Sequence, residues 1–221
     1  MFNVVRNEPA PASLSGKRKY DSEDVLTALR KVFHKKCYIC ETSEPSGVNV
    51  EHFIPHRGDE GLKYDWGNLY FSCDRCNNIK LAQYDDLLDC CDPNTEVVRA
   101  IKHKPPMTAY ARKLDIEAQS NDQKTQMTAE LLDRVFNSDH TPNKAVTASF
   151  LRHKVFDRYN LLLDQLNKYY APVALDKEKE EALERIKLLI APTAPYSAFI
   201  SWCILEDEEL RPLLDGYIGQ T

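Results

Sequence analysis

No stretch of 18 apolar residues occurs in the chain, so no transmembrane helix is expected. The opening segment, MFNVVRNEPAPASLSGKRKY, lacks the continuous apolar core of a secretory leader, so export is not expected either. Both absences point to a cytoplasmic protein without a membrane partner. No internal repeat and no low-complexity tract organises the sequence. An excess of positive charge is missing too. The formal net charge is −5, whereas a self-sufficient nucleic-acid binder is usually basic. Tight binding of nucleic acid by this chain alone is therefore disfavoured.

What is present is ordinary globular material: 221 residues, 43% hydrophobic and 29% charged. That is one domain or two small ones, long enough to bury a core without disulfides. The charge is uneven. Residues 1–36 hold eight Lys/Arg against four Asp/Glu, a local +4, and 95–113 hold five against one, again +4. Residues 171–221 hold five against ten, a local −5. Any one such run is commonly a solvated surface. Two basic segments flanking one site would nevertheless draw a phosphate towards it.

Helical spacing of Val25, Leu29, Val32 and Phe33 predicts a helix after Asp21 or Ser22. Residues 7–16 read as extended or mobile. Short strands are expected near 48–54 and 68–72, with a helix beginning near Cys76. From about residue 125 the apolar pattern is helical to the end, and the KHKPPM stretch near 102–107 breaks helix. The fold class expected is α+β: a small strand-and-helix unit embedded in a mostly α-helical protein. The boundaries expected are an N-terminal arm and basic helix over 1–36, a motif-bearing unit over 37–92, and a helical region over 93–221.

The chain has seven cysteines, and four fall into C-x2-C-x32-C-x2-C: Cys37 with Cys40, and Cys73 with Cys76. In a reducing compartment such pairs indicate metal or redox chemistry before disulfides. Four thiolates satisfy the tetrahedral preference of Zn²⁺ and leave no open position, so this zinc would be structural. Its binding would contribute on the order of 10 kcal/mol or more to folding. Cys90, Cys91 and Cys203 have no ligand spacing and read as small buried hydrophobes. His34, His103, His140 and His153 are isolated and read as structural.

Between the cysteine pairs lies VEHFIPH. Glu51–His52–Phe53–Ile54–Pro55, then Asp65–Trp66–Gly67–Asn68–Leu69, then Cys73–Asp74–Arg75–Cys76–Asn77–Asn78–Ile79–Lys80 resemble the HNH, or ββα-metal, endonucleases. The resemblance covers about 37–80. It implies a zinc-stapled ββα unit with His52 as general base. It also implies that Glu51 and Asn77 are oxygen ligands of a catalytic divalent ion, Mg²⁺ or Mn²⁺, and that Asn68 holds the loop bearing the base. His56, Arg57 and Lys80 are candidates for phosphate contact. Simpler readings stand beside these: Asn68 as a turn residue, Asn77 as a helix N-cap, His56 as a surface histidine, Arg57 and Lys80 as solvated charges. Tyr64 and Trp66 read as packing. The chemistry agrees with the resemblance, because a neutral imidazole can take a proton from water and a hard cation prefers oxygen ligands.

The longer pattern, with its LLDCCDP stretch and helical C-terminal part, looks like the HNH subunit of Septu-type antiviral defence systems and like retron-associated HNH proteins. That resemblance implies a DNA-cutting effector working with an ABC- or SMC-like ATPase, which would dock on the helical region. An RNA- or tRNA-cleaving toxin uses the same site, and an inactive zinc-ribbon binding module keeps the cysteines alone. DNA is placed ahead of RNA as substrate.

Overall fold

A computed structural model describes residues 1–139 and 146–220; His140 lies outside them. The N-terminal segment is anchored: Met1, Phe2 and Val4 are buried, and the Arg6 guanidinium lies 5.0 Å from the rings of both Trp66 and Tyr70. Two short helices follow, α1 (Ala12–Ser15) and α2 (Glu23–Val32). The stretch expected to be extended over 7–16 thus holds a helical turn at its end, anchored by buried Leu14. In α2, Val25, Leu29 and Val32 face the core, as their spacing requires.

The central unit is β1 (Val48–His52), α3 (Glu60–Tyr64), β2 (Leu69–Cys73) and α4 (Asp74–Lys80). The two strands are antiparallel, with Val50 opposite Phe71 and His52 opposite Leu69. Every residue of β2 is buried, because the helices cover one face and the cysteine cluster the other end. The rest is α5 (Val97–Ala100), β3 (Ile101–Lys104), β4 (Asp115–Ala118), α6 (Gln123–Asn137), α7 (Ala148–Tyr169), α8 (Asp176–Ile190), α9 (Ser197–Leu205) and α10 (Arg211–Leu214). The fold is α+β, a small ββα unit in a mostly helical chain. The β3–β4 hairpin is a departure from the expected loop. Ile101 and His103 are buried while Lys102 and Lys104 are less so, the period-two pattern of a strand, and Pro105 and Pro106 end it. Phe150, in the first turn of α7, is exposed.

One core unites the N-terminal segment, the ββα unit and α6; a second lies between α7, α8, α9 and α10. Arg75 ties the ββα unit to α6. Its side chain is fully buried and donates to the carbonyls of Val135 (3.0 and 2.9 Å) and Ser138 (2.7 Å) at the end of that helix. Carbonyls there have no partner within the helix and attract a cation. No helix among the described residues is long and apolar enough to cross a membrane.

Candidate active site

Cys37 and Cys40 lie in a tight reversal closed by a bridge between Lys36 and Ser43. The Tyr38 N–H donates to the Phe71 carbonyl at 3.0 Å, which fastens this reversal to β2. Cys73 and Cys76 come from the end of β2 and the first turn of α4. The four sulfurs lie within 4.8 Å of one another, and all four residues are buried. The Cys40 and Cys73 sulfurs are 3.7 Å apart. A tetrahedron with Zn–S bonds of about 2.3 Å requires about 3.8 Å between sulfurs, so the four thiols fit a structural zinc ion. Burial pushes the Cys76 thiol well above its ordinary range, so an incoming ion displaces protons. A second group, Asp89, Cys90 and Cys91, brings its ligand atoms equally close. There the Tyr70 hydroxyl and the Cys91 N–H already occupy Asp89 Oδ1.

The cysteine cluster sets the end of β1 against α4, and an open groove of about 390 Å³ forms between them. Glu51, His52, His56, Arg57 and Asn77 all line it. Asn77 lies inside α4, whose N-cap position is Cys73, so the N-cap role does not apply to it.

His52 is half-buried, and its Nε2 is 3.0 Å from the Lys63 carbonyl in α3. A carbonyl only accepts, so Nε2 carries the proton and Nδ1 of the neutral ring keeps its lone pair. Burial pulls this imidazole below its ordinary pKa of 6.5, against the opposing Lys63 carbonyl, with His56, Lys80 and Lys63 adding to the depression. The ring is therefore neutral at pH 7. Tyr20 packs edge-on against it at 4.6 Å, and His56 lies at 4.7 Å.

Asn68 is buried beneath the 54–62 loop. Its Oδ1 accepts from the Ile54 N–H at 2.7 Å, and its Nδ2 donates to the carbonyls of Ile54 (2.8 Å) and Leu62 (3.0 Å). One side chain thus ties together both ends of the segment that follows the histidine. The Arg57–Gly58 corner needs left-handed backbone, with φ of 45° and 93°. Arg57 is exposed and pairs with Asp85 at 2.7 Å.

Lys80 stands elsewhere than expected. It is fully buried, and its ammonium donates to Glu51 Oε1 at 2.9 Å and to the His52 carbonyl at 3.0 Å. It is no solvated charge, and it does not line the groove. Burial raises the Glu51 carboxyl above its ordinary pKa, with Lys80 opposing.

Residues 37–83 match the HNH endonuclease family. The chain carries an HNH domain there. Septu protein PtuB of Bacillus mycoides (strain KBAB4) is 35% identical over 80 residues, covering 29% of this chain and 27% of that protein. Septu protein PtuB of Bacillus thuringiensis is 37% identical over 59 residues, 25% of this chain and 23% of that protein. The chain spans about a quarter of the length of these curated relatives.

Two contributors to the HNH groove carry no sequence signal of their own. Lys63 acts through its backbone carbonyl, which any residue could supply. Tyr20 comes from about thirty residues upstream of His52, outside the HNH motifs. A larger cleft between α7 and α8 is lined by charged residues such as Asp164, Lys168, Glu178 and Arg185, with no histidine or cysteine.

Proposed function

We propose that the chain is a divalent-metal-dependent HNH endonuclease that hydrolyses DNA phosphodiester bonds. In this reading it acts in the cytoplasm as the effector nuclease of a Septu-like antiviral complex with an ABC- or SMC-like ATPase. One observation carries the chemistry: Glu51, His52 and Asn77 line one groove, and the Lys63 carbonyl leaves His52 Nδ1 with its lone pair. The defence role is supported by the similarity to the Septu PtuB proteins.

The residues fit the ions expected. Glu51 and Asn77 offer oxygen ligands in an open groove, the donor set that Mg²⁺ or Mn²⁺ prefers. Lys80 engages Glu51 Oε1, and Oε2 is the oxygen left for a cation. Bound there, a divalent ion supplies charge neutralisation on the phosphoryl group and the leaving oxygen. His52 Nδ1 accepts a proton from the attacking water, while Nε2–H···O=C to Lys63 keeps the ring oriented and stabilises the imidazolium that forms. Asn68 keeps the 54–62 loop, and with it His56 and Arg57, against the groove. Those two side chains are the candidates for holding phosphate oxygens. An external water is the nucleophile, so no substrate 2′-OH takes part.

Exposed apolar side chains on and beside α7 and α8, including Leu161, Val173, Leu175 and Leu188, form the candidate ATPase-docking surface within the region 93–221. The test is incubation of the purified chain, alone and with a candidate ABC- or SMC-like ATPase, with DNA and RNA in Mg²⁺ or Mn²⁺. Metal-dependent DNA scission supports this reading. Scission of RNA alone transfers the same chemistry to an RNA-cleaving toxin. Binding without scission of either identifies an inactive zinc-ribbon module.

A further inference from the structure

Residues 16–20 read GKRKY, and they lie outside the HNH domain. Lys17, Arg18 and Lys19 are consecutive and all exposed. The loop is closed at its base. The Ser13 and Ser22 hydroxyls donate to Asp24 Oδ1 at 2.8 and 2.7 Å, and the Ser13 N–H donates to Oδ2 at 3.3 Å. Leu14, buried, anchors it to the core. This cinch between α1 and α2 fixes where the three cations project, and Lys17 holds left-handed backbone at φ 48°.

The loop ends at Tyr20, whose ring lines the groove and packs on the His52 ring at 4.6 Å. The Lys63 ammonium lies 6.0 Å from the Tyr20 ring centroid. Nothing neutralises the cations firmly. Lys17 is 3.9 Å from Glu60 and Lys19 is 3.7 Å from Asp21, both exposed pairs that solvent screens and that hold little. Arg18 has no ion-pair partner among the described residues. In a chain of net charge −5, a run of three exposed cations, only weakly paired and ending on the ring beside the candidate base, is a local exception.

We infer that the loop 16–20 is a phosphate track: it binds the nucleic-acid backbone beside the scissile linkage, and Tyr20 places the strand over His52. This inference deepens the proposed nuclease reading and rests on it. A groove for a single phosphodiester needs contacts to flanking phosphates to hold the strand in register. Cations followed by an aromatic ring make the usual single-strand platform. An acidic protein partner would need no ring packed on the histidine.

The experiment is titration of the full-length His52→Ala chain, expected to cut at a strongly reduced rate, with fluorescent duplex DNA, single-stranded DNA and single-stranded RNA of about 20 nucleotides, longer than the roughly 4–16 nucleotides of a single-strand site. It is repeated across salt concentrations. Changing Lys17, Arg18 and Lys19 together to Gln should weaken binding about tenfold or more and lower the slope of log K against log salt by about 2 to 3. The control changes Lys154, Lys168 and Lys177, exposed cations far along the chain, to Gln, and should leave both unaltered. Equal binding and slope for the loop variant and its parent overturn the inference, as does an equal effect of the control. In the chain that keeps His52, the loop variant should raise KM with kcat within about threefold, whereas Tyr20→Ala should lower kcat. Binding through the loop, with no cutting by the chain that keeps His52, supports the track and sinks the nuclease reading. Cutting by the chain that keeps His52, with binding that ignores the loop, sinks the track alone.

Discussion

Lys80 Nζ lies 2.9 Å from Glu51 Oε1, and both side chains are buried. The ammonium also donates to the backbone carbonyl of His52, so one lysine braces the candidate metal ligand and the candidate base together. Removing one partner of a buried pair leaves an uncompensated charge and costs about 3–5 kcal/mol, whereas replacing both by apolar groups is often neutral. Lys80→Met should therefore lower stability to urea by about that amount. Lys80→Met combined with Glu51→Leu should recover most of the stability and none of the cleavage. A single variant as stable as the parent would show that the pair does not brace the site.

The four thiols carry a prediction about metal content. The purified chain should hold one zinc per molecule, measured by elemental analysis. A strong chelator should remove it with loss of the cooperative unfolding transition, and Mg²⁺ should not restore the fold. Cys76→Ser should behave like the stripped protein. A chain that unfolds at the same temperature with and without zinc would remove the stapling role.

The Asn68 amide makes three hydrogen bonds to the 54–62 loop. Asn68→Ala leaves the Ile54 N–H and the Leu62 carbonyl without that partner, at a cost of about 1–3 kcal/mol. Because the amide positions the loop and does not touch the reacting atoms, the variant should lose cleavage while keeping its zinc and a folded circular-dichroism spectrum. Parent-level cleavage would confine Asn68 to a turn.

Acid stability is set in part by His103. Burial, then the nearby Met1 amine, hold its pKa at about 3 against an ordinary 6.5, with Glu41 opposing; Lys36 is the other charge in this cluster. The unfolded chain takes up a proton below 6.5 that the folded chain refuses. The resulting stability is complete above 6.5 and declines as pH falls from 6.5 towards 3. The thermal midpoint of the parent should fall across that window, and His103→Phe should flatten the curve between pH 6.5 and 5, with zinc release followed in parallel to separate the two effects. An identical pH curve for the variant would remove His103 as the cause.

Much of the site was legible because the spacing of its residues has a direct physical meaning. Two CxxC pairs 32 residues apart can meet on one ion, and the motifs between them must then lie near it. Lys80 was misplaced although the signal was present. It is four residues after Cys76 and so shares the face of α4 that turns to the buried cluster. Lys63 and Tyr20 left no trace, because one acts through its backbone and the other arrives by tertiary packing. The β3–β4 hairpin escaped because strands of four residues show barely two periods of alternation, and the prolines between them dominate the local pattern.

The most direct measurement is the cleavage rate of His52→Ala beside that of the parent, on the substrate the parent cuts, with zinc content and unfolding temperature recorded for both. A rate lower by about 10² to 10⁴, with zinc and folding unchanged, is the result expected of an imidazole that takes the proton from water. Cleavage at the parent's rate would contradict the account at its centre.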